Sequence, residues 1–126
     1  MRNTAIAICL VIVIVLFVLL INKPQPTISV DPDKWNLGKV SKSKQYFKLF
    51  TLKNTGKSSL LISKVRSSCF CTIVRVATNE VLPLSYTTLE ASFLSHSVGR
   101  IERTIFIESN DPKNKVVMMP VSAEVY

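Results

Sequence analysis

The feature that most limits what this chain can fold into lies at its start. Ala5 to Ile21 (AIAICLVIVIVLFVLLI) is an unbroken run of seventeen apolar residues without a charge. At about 1.5 Å per residue the run makes roughly 26 Å of helix, near the lower limit for crossing a bilayer core. It is apolar on every side and sits at the terminus, so it does not read as a helix packed in a core. Secretory cleavage needs small residues before the cut, and the run ends Leu19-Leu20-Ile21-Asn22-Lys23-Pro24, with no small pair in place. Cys9 is preceded by Ile8 and followed by most of the run, which argues against a lipoprotein site. Residues 1–22 are therefore expected to form an uncleaved signal anchor, a transmembrane helix. Arg2 and the amino group favour a cytoplasmic N-terminus, against a weaker pull from Lys23. The expected topology is a single pass with the domain in the periplasm or outside the cell.

About 104 residues remain, enough for one ordinary domain and too few for two. A domain of that size buries an adequate core without needing disulfides or metal. The formal net charge is +8. The lysines at 34, 39, 42, 44, 48, 53, 57 and 64 are scattered, with no block of like charge. That pattern favours a lysine-rich solvated surface over a dedicated polyanion site. No nucleic-acid motif accompanies the charge, so nucleic acid is not an expected partner.

Lys23-Pro24-Gln25-Pro26 begins a stiff Pro-rich spacer, 23–27, expected to hold the domain just above the bilayer. Strand signals then recur between turn residues. They cover Thr27–Val30, Lys34–Val40, Gln45–Lys53, Leu60–Val65, Ile73–Val76, Ser85–Phe93, Ile101–Ser109 and Val116–Val125. Asn54-Thr55-Gly56-Lys57 reads as a turn, since Asn and Gly tolerate positive φ. In Ile101–Ser109 the apolar residues share one parity, and Arg103 interrupts it, so the edge or end of that strand is expected to be exposed. No segment after Lys23 carries a helical period. Seven to nine short strands over 28–126 give an all-β, immunoglobulin-like β-sandwich.

Several of these residues carry a family pattern. They are Trp35-x-x-Gly38-x-Val40, the strand into Asn54-Thr55-Gly56, Leu60-x-Ile62, and Ser67-Ser68-Cys69-Phe70-Cys71-Thr72. Val98-Gly99 and Ser109-Asn110-Asp111-Pro112 follow before a last apolar strand. In this order and spacing the chain resembles the bacterial Domain of Unknown Function 1573 family, among the Hydin-type immunoglobulin-like modules. The resemblance implies an exported sandwich and no established activity. Two positions depart from it: Phe70 stands where the family pattern has Gly, and Leu84 follows Pro83 where it has a Pro-Gly turn.

Cys69-x-Cys71 is the one constellation with chemical potential. On an extended strand, residues i and i+2 share a face with Cα atoms roughly 6.6–6.8 Å apart. A disulfide wants about 5.5–6 Å, so a local bridge needs a bent backbone, which glycine would ease and Phe70 resists. Three roles stay open. They are a structural pair (core thiols or a local bridge), a redox-active couple, and a soft-metal site completed by His96. His96 in Ser-His-Ser reads first as a solvated turn residue, and Asn110-Asp111-Pro112 as an Asx-Pro turn. One histidine and scattered acids offer no nucleophile, base and orienting group at a suggestive spacing, so no catalysis is expected. No cofactor is implied.

The expected function is a membrane-anchored, non-enzymatic binding or scaffolding module of the bacterial cell envelope. It would contact another envelope protein through a sheet edge or end loops. Candidate contact residues are Phe70, Gly56, Gly99 and Trp35, the last expected chiefly as a core or edge anchor. The alternative is an envelope thiol-redox or soft-metal-handling protein using Cys69 and Cys71.

Overall fold

The computed structural model describes residues 1–126. A helix, α1, spans Arg2–Ile21, and nine strands follow. They are β1 Ile28–Asp31, β2 Trp35–Val40, β3 Gln45–Asn54, β4 Leu60–Ser67, β5 Thr72–Val76, β6 Glu80–Val81, β7 Tyr86–Leu94, β8 Gly99–Ser109 and β9 Val116–Val125. Eight of these correspond to segments with strand signals. The two-residue β6 is too short to carry an alternation and was missed. No residue of α1 is buried, and the helix is long and apolar enough to cross a membrane. Such a helix serves as a membrane anchor or as a signal sequence.

The strands form two sheets, ordered β1-β3-β7-β5 and β2-β9-β8-β4-β6. All neighbours are antiparallel except β2 and β9, which run parallel. Alternate residues of the long strands enter the space between the sheets, as the two-residue period of a strand requires, and register shifts in β2 and β4 change the parity there. In β3 the entering set is Phe50, Leu52 and Asn54, while Phe47, Leu49 and Thr51 face solvent. The two parities of this strand are nearly equally apolar, so only its pairing partner decides which one is buried. Leu89, Ala91 and Phe93 from β7 meet Ile105 and Ile107 from β8 and Met119 and Val121 from β9. Trp35 closes the core at the side, its ring edge-on to Phe50 with centroids 5.9 Å apart.

Strand directions separate the two ends of the sandwich. Chain entering from α1 reaches Ile28, which pairs with Asn54. This near end also holds the turns 55–59, 82–85 and 110–115. The far end holds the connections 41–44, 68–71 and 95–98 and the carboxy terminus. At the near end the spacer is hydrogen-bonded to the domain and does not hang free. Lys57 N donates to Gln25 O at 3.0 Å, and Thr55 N donates to Thr27 O at 2.9 Å.

Candidate functional site

The far end gathers most of the residues singled out in the sequence. Strand β4 pairs with β8 only from Ser67 opposite Ile105 onward. It makes its last contact there through Ser68, whose N–H donates to Thr104 O at 2.9 Å and whose Oγ accepts from Thr104 N at 2.9 Å. The chain then leaves the sheet in a turn at Cys69–Cys71 and enters β5 on the opposite sheet. That turn is closed by a disulfide between Cys69 and Cys71, with Cα atoms 5.4 Å apart. The spacing is shorter than an extended strand gives, because the residues occupy a turn where the backbone is bent. Leu94 N donates to Cys71 O at 2.9 Å and fixes the outgoing limb. Phe70, between the two cysteines, is 105% exposed.

The departure of β4 leaves the first half of β8 with one neighbour. Gly99 to Arg103 pair with Val125 to Val121 of β9, and nothing pairs on the other side. Along an antiparallel strand the backbone groups of alternate residues point to opposite edges. Thr104 faces the β4 side, so Glu102 and Arg100 do as well, past the point where β4 ends. The guanidinium of Arg103 donates to Glu102 O at 2.7 Å and covers one of these groups. Thus β8 is a central strand along its second half and an open edge along its first. Arg103 was the sequence signal for this half, but a lost neighbour cannot be read from one strand.

The rim of this end is basic. Lys39, Lys42, Lys44, Arg66, Arg100 and Arg103 are exposed there, against Glu102 and Glu124. Arg100 pairs with Glu102 at 2.8 Å. Arg66 stacks over the Phe106 ring at 4.0 Å, which holds its charge at the sheet face. A shallow groove of ≈ 470 Å³ runs between Lys39, Val98, Gly99, Arg100 and Tyr126.

The remaining candidates fall elsewhere. Trp35 is 6% exposed and packs on Phe50: it is the core anchor chiefly expected and not a contact residue, since its large apolar ring is more stable between the sheets. Gly56 lies at the opposite, near end. A Cβ there would press on Gln25 O and come within 2.6 Å of Thr27 N, so this glycine lets the spacer lie against the turn. His96 is at the far end, where its Nδ1 shares a hydrogen bond with Ser43 Oγ at 2.9 Å. It is not assembled with the cysteines: no three His, Cys, Asp or Glu side chains converge at metal-binding spacing, and the two sulfurs are bonded to each other.

Asp111 was read as a turn residue and does more than that. Its Oδ1 accepts from Lys113 N at 2.9 Å and Asn114 N at 3.3 Å, and its Oδ2 accepts from Ile28 N at 3.0 Å across the sandwich. Burial pushes this carboxyl upward, and the backbone donors Ile28, Lys113 and Asn114 together outweigh it, so its pKa lies below the ordinary carboxylate value.

Residues 26–124 match a family model described as HYDIN/CFA65/VesB-like, Ig-like domain. No curated protein matches the sequence. Among solved structures, a protein of unknown function from Porphyromonas gingivalis W83 aligns with a TM-score of 0.72 at 17% identity. The alignment covers 79% of this chain and 46% of that one, so the chain spans about half the length of this relative. The ASH/PapD-like domain 7 of human CEP192 aligns with a TM-score of 0.63 at 9% identity, covering 81% of this chain and 87% of that one. The Vibrio cholerae VesB protease aligns with a TM-score of 0.62 at 12% identity, over 77% of this chain and 31% of the protease. At these identities the likeness is one of fold.

Proposed function

The chain belongs to the HYDIN/CFA65/VesB-like Ig-like domain family, and from that premise we propose a non-enzymatic binding or scaffolding module of the bacterial cell envelope. In this reading residues 1–22 anchor it with the amino terminus in the cytoplasm. Residues 23–27 join the anchor to the domain, and 28–126 stand in the periplasm or outside the cell. The order of its motifs favours the Domain of Unknown Function 1573 branch of the family.

The observation that carries the proposal is the open half-edge of β8 beside a fully exposed Phe70. An extended segment of a partner protein can continue the sheet along Arg100–Glu102, with main-chain hydrogen bonds supplying affinity. An apolar side chain of that segment would lie against Phe70, and the basic rim would favour acidic flanks.

The test is photo-crosslinking from the full chain in the envelope. A photoreactive residue at position 70 or 102 is expected to give one discrete protein adduct, and one at the outward-facing Met118 none. Equal labelling from all three positions, or none from any, would overturn the reading. A second reading, thiol exchange, is favoured by the Cys69–Cys71 bond itself, which closes a turn at the end of the sandwich with both cysteines half-buried. Replacing both cysteines with serine separates the two, since a scaffold keeps its adduct and a thiol-exchange protein loses its activity.

A further inference from the structure

We propose that the near end of the sandwich is a membrane-binding surface, seated in the headgroup layer of the same bilayer that α1 enters; the proposal rests on the anchoring reading above. The argument begins with the tether. Gln25 and Thr27 are hydrogen-bonded to the 55–57 turn, Pro26 is buried, and Thr27 N donates to Asn54 Oδ1 at 3.2 Å. Only Asn22, Lys23 and Pro24 lie between the end of α1 and this clamp. Fully extended, they span about 10 Å. The headgroup region on one side of a bilayer is roughly 5–8 Å thick. The near-end turns are thus held within reach of the lipid headgroups, at that layer or a few ångströms above it.

The surface they present there is of two kinds. Leu82, Leu84 and Tyr86 are 59%, 77% and 69% exposed. Leu84 sits third in a turn in which Ser85 N donates to Leu82 O at 3.0 Å, with Pro83 second. Its φ is +60°, a conformation that glycine adopts freely and leucine does not. A leucine in that position is strained and gains little from the rest of the domain. Insertion among acyl chains would compensate it, and tyrosine is favoured at the same depth. At the same end Lys23, Lys57, Lys113 and Lys115 are all exposed, and Glu80 of β6 is the one exposed acid there. The Asp111 carboxylate is buried and committed to backbone amides. Exposed apolar side chains and lysines sharing one end are complementary to an anionic lipid surface.

The experiment uses the full chain reconstituted in phosphatidylethanolamine/phosphatidylglycerol vesicles containing a spin-labelled lipid quencher. An environment-sensitive fluorophore is attached to native Cys9, or, with Cys9→Ser, to Leu84→Cys or to Val98→Cys at the far end. The proposal expects quenching at positions 9 and 84, with that at 84 at least about three times that at 98. It also expects Lys57→Glu/Lys113→Glu/Lys115→Glu to lower quenching at 84 and leave that at 9 unchanged. Quenching at 9 with equal signals at 84 and 98 would overturn the seat while the anchor stands. No quenching at 9 would remove the anchor and the seat with it.

Discussion

Two buried polar side chains, Asn54 and Asp111, hold the near end together. Asn54 Oδ1 accepts from Thr27 N at 3.2 Å and Gly56 N at 3.0 Å, and its Nδ2 donates to Ser58 O at 2.8 Å and Val81 O at 2.9 Å. These use every donor and acceptor of the amide. Asn54→Ala would strand partners in the spacer, the 55–59 turn and β6, and it is expected to cost about 3–4 kcal/mol, measured by urea unfolding. Asp111 has the same bridging role with a charge. Because its folded pKa lies below the unfolded value, its contribution is complete above the unfolded value and is lost as pH falls through the folded one. Wild-type unfolding midpoints are expected to drop below about pH 4, and those of Asp111→Asn to change less over the same window. The sequence marked both positions as turn residues through their neighbours Gly56 and Pro112. It did not mark them as cross-links, because their partners are 27 and 83 residues away in the chain.

Among the elements, the turns and half-strands diverge most from what local sequence suggests. The 82–85 turn places a leucine where its backbone calls for glycine. Leu84→Gly relieves the positive φ at the expense of extra chain entropy in the unfolded state, for a net stabilisation of about 0.5–1 kcal/mol in thermal or urea unfolding. The same variant would weaken membrane seating, so stability and binding are expected to move in opposite directions. Strand β8 is legible as a strand from Ile101 to Ser109, but it begins at Gly99, and only its second half is central. The break at Arg103 has its counterpart in space, where β4 turns away at Ser68. The Cys69–Cys71 bond shows the same dependence on context, since strand geometry disfavours it and a turn permits it.

In the whole molecule, α1 and the sandwich are separate in energetics. No helix residue is buried, and the core draws only on residues from Ile28 onward. Removing residues 1–22 is therefore expected to leave the unfolding transition of the domain within about 2 °C of the full chain in detergent, measured by circular dichroism. A larger fall would mean that the helix packs on the domain. On the two proposals above, the near end faces the bilayer and the far end is left for a partner.

The amino-acid sequence specified the apolar helix, the all-β class and all but one of the strands. Those properties follow from local periodicity and turn chemistry, which act over a few residues. It also placed Phe70, the cysteines and Gly99 together as candidates, although nothing in their spacing required them to share one end of the sandwich. Which parity of β3 is buried, and that β8 is open along half its length, came only with the arrangement of the strands. The same arrangement set Leu84 and the lysines at the end of the sandwich that α1 leads into. Each of these depends on which strand lies next to which, and that is fixed by contacts between residues far apart in the chain.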